Sequence, residues 1–196
     1  MTYTFRPVYN SNSFNSLNFK RLKTALCFLL CLMVLSGCSV HRKVPTSTRD
    51  QIKAEKKIEK EVEKHLRGQE KKVIEEAFEW LGTPYVYARQ DKGVATDCSG
   101  FVMRVFEKAI SCNLPRNSTK QAEFCKPVAR KNVKAGDLVF FITGNGETIN
   151  HVGIMIDDTQ FIHASSSKGV VVSTMDNNYY IQRFKMYGRV PCLHHD

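Results

Sequence analysis

The chain has 196 residues, 42% of them hydrophobic and 24% charged. That is the length of one ordinary domain, and the composition excludes both a disordered chain and a polytopic membrane protein. The net charge of +10 points by itself to nucleic acid or a membrane surface, but its placement argues against nucleic acid. Residues 1–37 hold four basic side chains and no acid, residues 38–72 eleven against six, and residues 73–196 fourteen against thirteen.

The front of the chain reads as an address. Lys20, Arg21 and Lys23 precede the apolar run Ala25–Leu35, which is short for a bilayer span and has the layout of an export signal. Its ending, Leu35-Ser36-Gly37-Cys38, resembles a bacterial lipoprotein box. That resemblance implies cleavage before Cys38 and acylation of its sulfur and amine. The chain then divides into a signal peptide over 1–37, a lipid anchor and stalk over 38–72, and a globular domain over 73–196. Export places Cys98, Cys112, Cys125 and Cys192 in an oxidising compartment. With Cys98 catalytic, at most one disulfide forms among the other three. The sequence does not select the pair, although a local bridge between Cys112 and Cys125, across the Leu-Pro-Arg loop, is sterically conceivable.

Val40–Arg49 reads as a polar spacer. Gln51–Gln69 is Lys/Glu-rich, with Ile52, Ile58, Val62 and Leu66 at near-helical spacing but like charges at Lys56/Lys60 and Lys60/Lys64. It is expected to be a solvated, partly helical stalk. Val73, Ile74, Ala77, Phe78 and Leu81 predict the first helix of the domain, ended by Gly82 and Pro84. A polar loop over Arg89–Thr96 leads to Asp97, a good N-cap, and a second amphipathic helix begins at Cys98. Short apolar runs follow at 138–142, 151–156, 161–164, 170–172 and 187–190, separated by turn residues. Helices first and an antiparallel sheet after predict an α+β domain.

A thiol in the first turn of a helix feels unpaired amides and the positive end of the dipole, and both favour the nucleophilic thiolate. It then needs a base and a group that holds the base. If Asp157-Asp158-Thr159 closes a three-residue hairpin, His163 opposes Gly153 and shares a face with His151 on a diagonal that Gly153 leaves open. A two-residue loop would put the histidines on opposite faces. Cys98 with His151 is therefore expected to be a thiolate–imidazolium pair near neutral pH, with His163 fixing the His151 ring. The pair His194-His195 lacks a ligand partner at metal spacing, and no metal or cofactor is expected.

Six blocks in order carry a further resemblance: Gly82-Thr-Pro-Tyr-Val-Tyr87, Asp97-Cys-Ser-Gly-Phe-Val102, Leu114-Pro-Arg-Asn-Ser118, Gly136-Asp-Leu-Val-Phe-Phe141, His151-Val-Gly-Ile154 and Phe161-Ile-His-Ala-Ser165. Over residues 73–190 the chain resembles the NlpC-type bacterial cell-wall cysteine peptidases. The resemblance implies a papain-like fold and cleavage of peptidoglycan stem peptides, often between D-γ-glutamate and diaminopimelate. It implies Cys98 as nucleophile, His151 as base, His163 as orienting residue and Tyr85 beside the Cys98 amide at the oxyanion, with Asp97 and Ser99 near the peptide. The sequence departs from the pattern at Ala88-Arg89, where two glycines are usual. A lipid-anchored endopeptidase in the bacterial envelope, on the outer membrane where one exists, is thus expected, with stem peptides and the membrane as its partners. The alternatives are an inactive wall-binding lipoprotein and a related thiol amidase or acyltransferase.

Overall fold

In the computed structural model, which describes residues 46–194, the apolar periodicity and the turn residues resolve into helices packed on a six-stranded antiparallel sheet, with a separate two-stranded hairpin. The expected export signal and Cys38 lie outside the described residues. Helix α1 (Thr46–Glu63) is followed by α2 (Gly68–Phe78). The predicted stripe of α2 is the buried one, with Val73, Ile74, Ala77 and Phe78 inside and Leu81 packed at the margin of the core. The polar loop is a small hairpin of β1 (Gln90–Asp91) and β2 (Ala95–Thr96). Lys92, at its turn, reaches back to Glu76 at 2.9 Å and to Glu79. Helix α3 (Cys98–Ile110) buries Phe101, Val102, Val105 and Phe106, and Trp80 meets Phe101 edge-on at 5.7 Å.

After α4 (Ser118–Phe124) comes the sheet. Its strands are β3 (Lys126–Val128), β4 (Leu138–Phe141), β5 (His151–Met155), β6 (Gln160–Ser165), β7 (Gly169–Thr174) and β8 (Phe184–Arg189), in the order β3-β8-β4-β5-β6-β7. The short helix α5 (Asn178–Ile181) lies between β7 and β8. Every residue of β4 is buried, because the sheet has apolar cover on both faces. Leu138 and Phe140 join the main core with α2 and α3. Val139 and Phe141 join a smaller cluster with Met155, Phe161, Met175 and Tyr187. The architecture is α+β, as the order of the elements predicts. β3, which pairs through Pro127 at the sheet edge, and α4 and α5 are too short to announce themselves by periodicity.

Two expectations are corrected. The stalk helix is not simply solvated: Glu55 is buried and its carboxylate accepts the Val172 amide of the edge strand β7 at 3.0 Å, while Ile58 and Leu66 pack against the core. An edge strand has amides to spare, and a carboxylate on a docked helix caps one of them. The disulfide joins Cys112 to Cys192, with Cα atoms 6.3 Å apart, rather than Cys112 to Cys125. Cys125 is instead turned inward as a free, buried thiol. A Cβ on Gly188 would lie 2.7 Å from its own Cβ, so it packs against the glycine of β8.

Candidate active site

The site is built on a helix cap. Asp97 is extended (φ −102°, ψ 178°) and its carboxylate accepts the Gly100 amide at 2.7 Å, which fixes Cys98 in the first turn of α3. The same carboxylate accepts the Ala88 amide at 2.8 Å and pairs with Arg116, whose Nη1 and Nη2 lie 2.8 and 2.7 Å from its two oxygens. Arg116 also donates to Ser99 Oγ at 2.9 Å and to the Arg89 carbonyl at 3.2 Å. Burial works against the Asp97 carboxylate, but Arg116 and the two amides outweigh it and hold its pKa below the usual carboxylate range. Asp97 and Ser99 are both buried, and the geometry engages both in this cap. Arg116, which sequence reasoning saw only as part of a block, is the residue that ties the two together.

Close approach explains the glycine of Asp97-Cys98-Ser99-Gly100. A Cβ on Gly100 would stand 2.6 Å from the Arg89 carbonyl oxygen and 3.1 Å from Arg116 Nη2. Ala88, where a glycine is usual, keeps a left-handed backbone at φ 62°. The loop therefore holds the glycine conformation with an alanine, at a steric cost of roughly 1–2 kcal/mol.

The thiol meets the sheet where two strands part. β5 and β6 are paired only at Ile154↔Ile162 and Met155↔Phe161. Toward the start of β5 the Cys98 thiol takes the place of the missing strand, donating to the Asn150 carbonyl at 3.8 Å and receiving the Val152 amide. These two backbone groups bracket His151. The pairing numbers are those of a three-residue hairpin, and Asp157 Oδ1 closes it by accepting the amides of Thr159 and Gln160 at 2.7 and 2.6 Å. His151 and His163 accordingly share a face, with Nε2 of the first 2.8 Å from Nδ1 of the second and the rings edge to face at 4.9 Å. Gly153 makes this possible, since a Cβ there would lie 2.7 Å from the Phe161 ring and 3.1 Å from His163 Cβ.

His163 Nε2 meets the hydroxyls of Ser173 and Tyr180, each at 3.0 Å. Neither hydroxyl was singled out from the sequence, because α5, which carries Tyr180, is a single turn with no periodic signature. Tyr85, His151, His163 and Tyr180 line one cavity of about 420 Å³, together with Ser165 and Lys168. Burial first, and then the Asp97 carboxylate and any ionisation of Cys98, push the Tyr85 phenol up, so it stands in the site as a protonated donor. Of the residues expected to act together, Tyr85, His151 and His163 line that cavity, and the Cys98 thiol meets the backbone on either side of His151. Among the described residues no group of three His, Cys, Asp or Glu is arranged to hold a metal ion.

The electrostatics depart from the expected ion pair. Burial, and then the Asp97 charge, push the Cys98 thiol up to about 11, although the amides of Ser99, Val152 and Cys98 itself pull the other way. Burial pushes His151 down to about 4 and holds His163 well below the ordinary imidazole value. Desolvation outweighs the helix end, and the resting pair is neutral thiol with neutral imidazole.

The model of the NlpC/P60 family matches residues 82–189. The probable endopeptidase NlpC of Escherichia coli K12 is 35% identical over 164 residues, which are 83% of this chain and 96% of that protein. The murein DD-endopeptidase MepS/murein LD-carboxypeptidase of the same organism is 40% identical over 120 residues, 61% of this chain and 62% of that one. A solved structure from Staphylococcus aureus Mu50, described as similar to a lipoprotein of the NLP/P60 family, superposes with a TM-score of 0.58 at 28% identity, covering 62% of this chain and 41% of that one.

Proposed function

This chain belongs to the NlpC/P60 family, and from that premise we propose that it is a lipid-anchored cysteine endopeptidase that hydrolyses peptidoglycan stem peptides. The observation that carries the reading is the 2.8 Å bond from His151 Nε2 to His163 Nδ1, beside a helix-start thiol bracketed by the backbone on either side of His151. With Nε2 engaged, Nδ1 of His151 is the nitrogen that serves the thiol. Because both groups rest uncharged, the proton leaves sulfur for Nδ1 as sulfur attacks the peptide carbonyl, so His151 acts as a general base. The new S–C bond leaves an oxyanion, which the Cys98 amide and the Tyr85 hydroxyl receive. Collapse breaks the C–N bond, and the leaving amine takes the proton from His151. Water, activated by the same imidazole, then hydrolyses the thioester and restores the thiol.

The bond proposed is that between D-γ-glutamate and diaminopimelate. Cys38 is proposed as the lipidated amino terminus, holding the domain in the cell envelope, on the periplasmic side of an outer membrane where one exists. The test is mass analysis of purified muropeptides after incubation with the wild type and with Cys98→Ala. The expected result is Cys98-dependent release of the diaminopimelate-bearing peptide, leaving L-alanyl-D-glutamate on the muramyl sugar. Products cut instead at a D-alanyl cross-link would move the assignment to that bond. An intact substrate with a folded wild type would overturn the hydrolase reading.

A further inference from the structure

His163 is fully enclosed and both of its ring nitrogens are engaged. Nδ1 faces His151 Nε2, and Nε2 faces two hydroxyls, Ser173 Oγ and Tyr180 Oη. Ser173 reaches it from β7, where it lies opposite Phe161. Tyr180 reaches it from α5, a turn begun by the Asn177 side chain, which accepts the Tyr179 amide at 2.9 Å. The Tyr180 ring is held edge-on, 4.9 Å from Phe161 and 5.5 Å from His163, and 5.3 Å from Phe141. This is a built seat for a hydroxyl.

Proton counting gives the seat a purpose. For His151 Nδ1 to take the thiol proton, the neutral ring must carry its hydrogen on Nε2 and donate it to His163. His163 Nδ1 must then be the acceptor, so the His163 hydrogen sits on Nε2 and needs an acceptor of its own. The oxygens of Tyr180 and Ser173 are those acceptors. With the opposite tautomer, His163 would donate from Nδ1, and His151 would point an N–H toward the thiol and could take no proton. We propose that Tyr180, with Ser173, is a positioning residue that holds His163 in its Nε2–H form and thereby keeps His151 a base. The inference rests on the reading of Cys98 and His151 as the reacting pair; Tyr180 and Ser173 neither gain nor lose a proton in the reaction.

The experiment is a cycle of Tyr180→Phe, Ser173→Ala and the two combined, each made also in a His163→Ala background. Loss of a partner that orients a histidine costs about ten- to a hundredfold. The double variant is expected to lose that much in kcat with KM within about twofold of wild type. Tyr180→Phe alone, with Ser173 still accepting, is expected to lose less. In the His163→Ala background the same substitutions should cost nothing more, since groups acting through one residue are not additive. Independently of activity, nitrogen NMR of ¹⁵N-histidine protein should show His163 protonated on Nε2 in the wild type and a mixture of tautomers in the double variant. If the double variant does not fold, Tyr180→Phe read by NMR decides, because it keeps the ring and its packing. Effects that multiply across the His163→Ala background, or a wild-type His163 protonated on Nδ1, overturn the proposal. A wild type without Cys98-dependent hydrolysis would sink the enzyme reading instead, and the NMR result would still stand.

Discussion

At the scale of single residues, Cys98, the proposed nucleophile, is governed by a contest that its position in the helix does not reveal. The first-turn amides favour thiolate, but the thiol is 6% exposed and has the Asp97 carboxylate as its sequence neighbour. Burial and that charge place it at about 11, and burial places His151 at about 4. Between these values neither group is charged, so in the proposed mechanism the proton leaves sulfur only as substrate arrives. Iodoacetamide should therefore alkylate Cys98 slowly across pH 5–7 and faster at each step above pH 8, as the thiol begins to ionise. Peptide hydrolysis should hold its rate down to about pH 5, because His151 stays unprotonated there. The measurement is alkylation followed by mass at each pH, beside kcat/KM over the same range. A flat, fast alkylation rate between pH 5 and 7 would show a standing thiolate–imidazolium pair and remove this account. Cys125, pushed up to about 12 by burial and then by the Asp137 charge, should remain the slower thiol throughout.

At the scale of elements, the placement of His151 against His163 depends on a hairpin whose register the loop fixes and whose closeness one glycine permits. Gly153→Ala would bring a Cβ to 2.7 Å from the Phe161 ring and to 3.1 Å from both His163 Cβ and the Ile162 carbonyl oxygen. Overpacking of that kind costs about 1–3 kcal/mol, and any relief must part β5 from β6 at the histidine pair. Urea unfolding should show that loss and kcat should fall at least about tenfold, since a small misplacement of a base is expensive. Gly146→Ala, whose Cβ would meet only Asn150 Nδ2 at 4.0 Å, is the control and should leave both unchanged. This hairpin was legible in the sequence as a period of two with a choice of loop lengths, of which the three-residue one shares the face, and the Asp157 bonds to the Thr159 and Gln160 amides make that choice. The α3 cap and the α2 stripe were legible for the same reason: short-range spacing decides them. The docking of α1 was not, because a Lys/Glu-rich stretch reads as solvated unless the edge strand that receives Glu55 is known. Arg116 and Tyr180 were hidden as well, since each acts on a partner 17 or more positions away, through contacts that no local pattern encodes.

At the scale of the whole molecule, the helix that carries Cys98 is anchored at both ends by different means. Its start is held by the Asp97–Arg116 cap, and its end runs through Ser111, in a left-handed conformation, into Cys112. Cys112 is bonded to Cys192, 80 positions away and just beyond the strand that closes the sheet. The crosslink therefore encloses α4, the six-stranded sheet, His151 and His163 in a single covalent loop whose two ends meet just beyond the end of α3. A loop of that length removes about 4 kcal/mol worth of freedom from the unfolded chain, against the 2–5 kcal/mol usually lost when such a bond is deleted. Removing it leaves the buried surfaces of the core in place, so the fold should survive with a lowered margin. The expected outcome for Cys112→Ala/Cys192→Ala is a folded protein with the same thiol-dependent activity at 25 °C, but destabilised by about 2–4 kcal/mol in urea. The native protein, denatured without reductant, should alkylate at Cys98 and Cys125 and at no other cysteine of the domain. Alkylation of Cys112 or Cys192 under those conditions, or unfolding midpoints that coincide for the two proteins, would show that the chain closes its sheet without this bond.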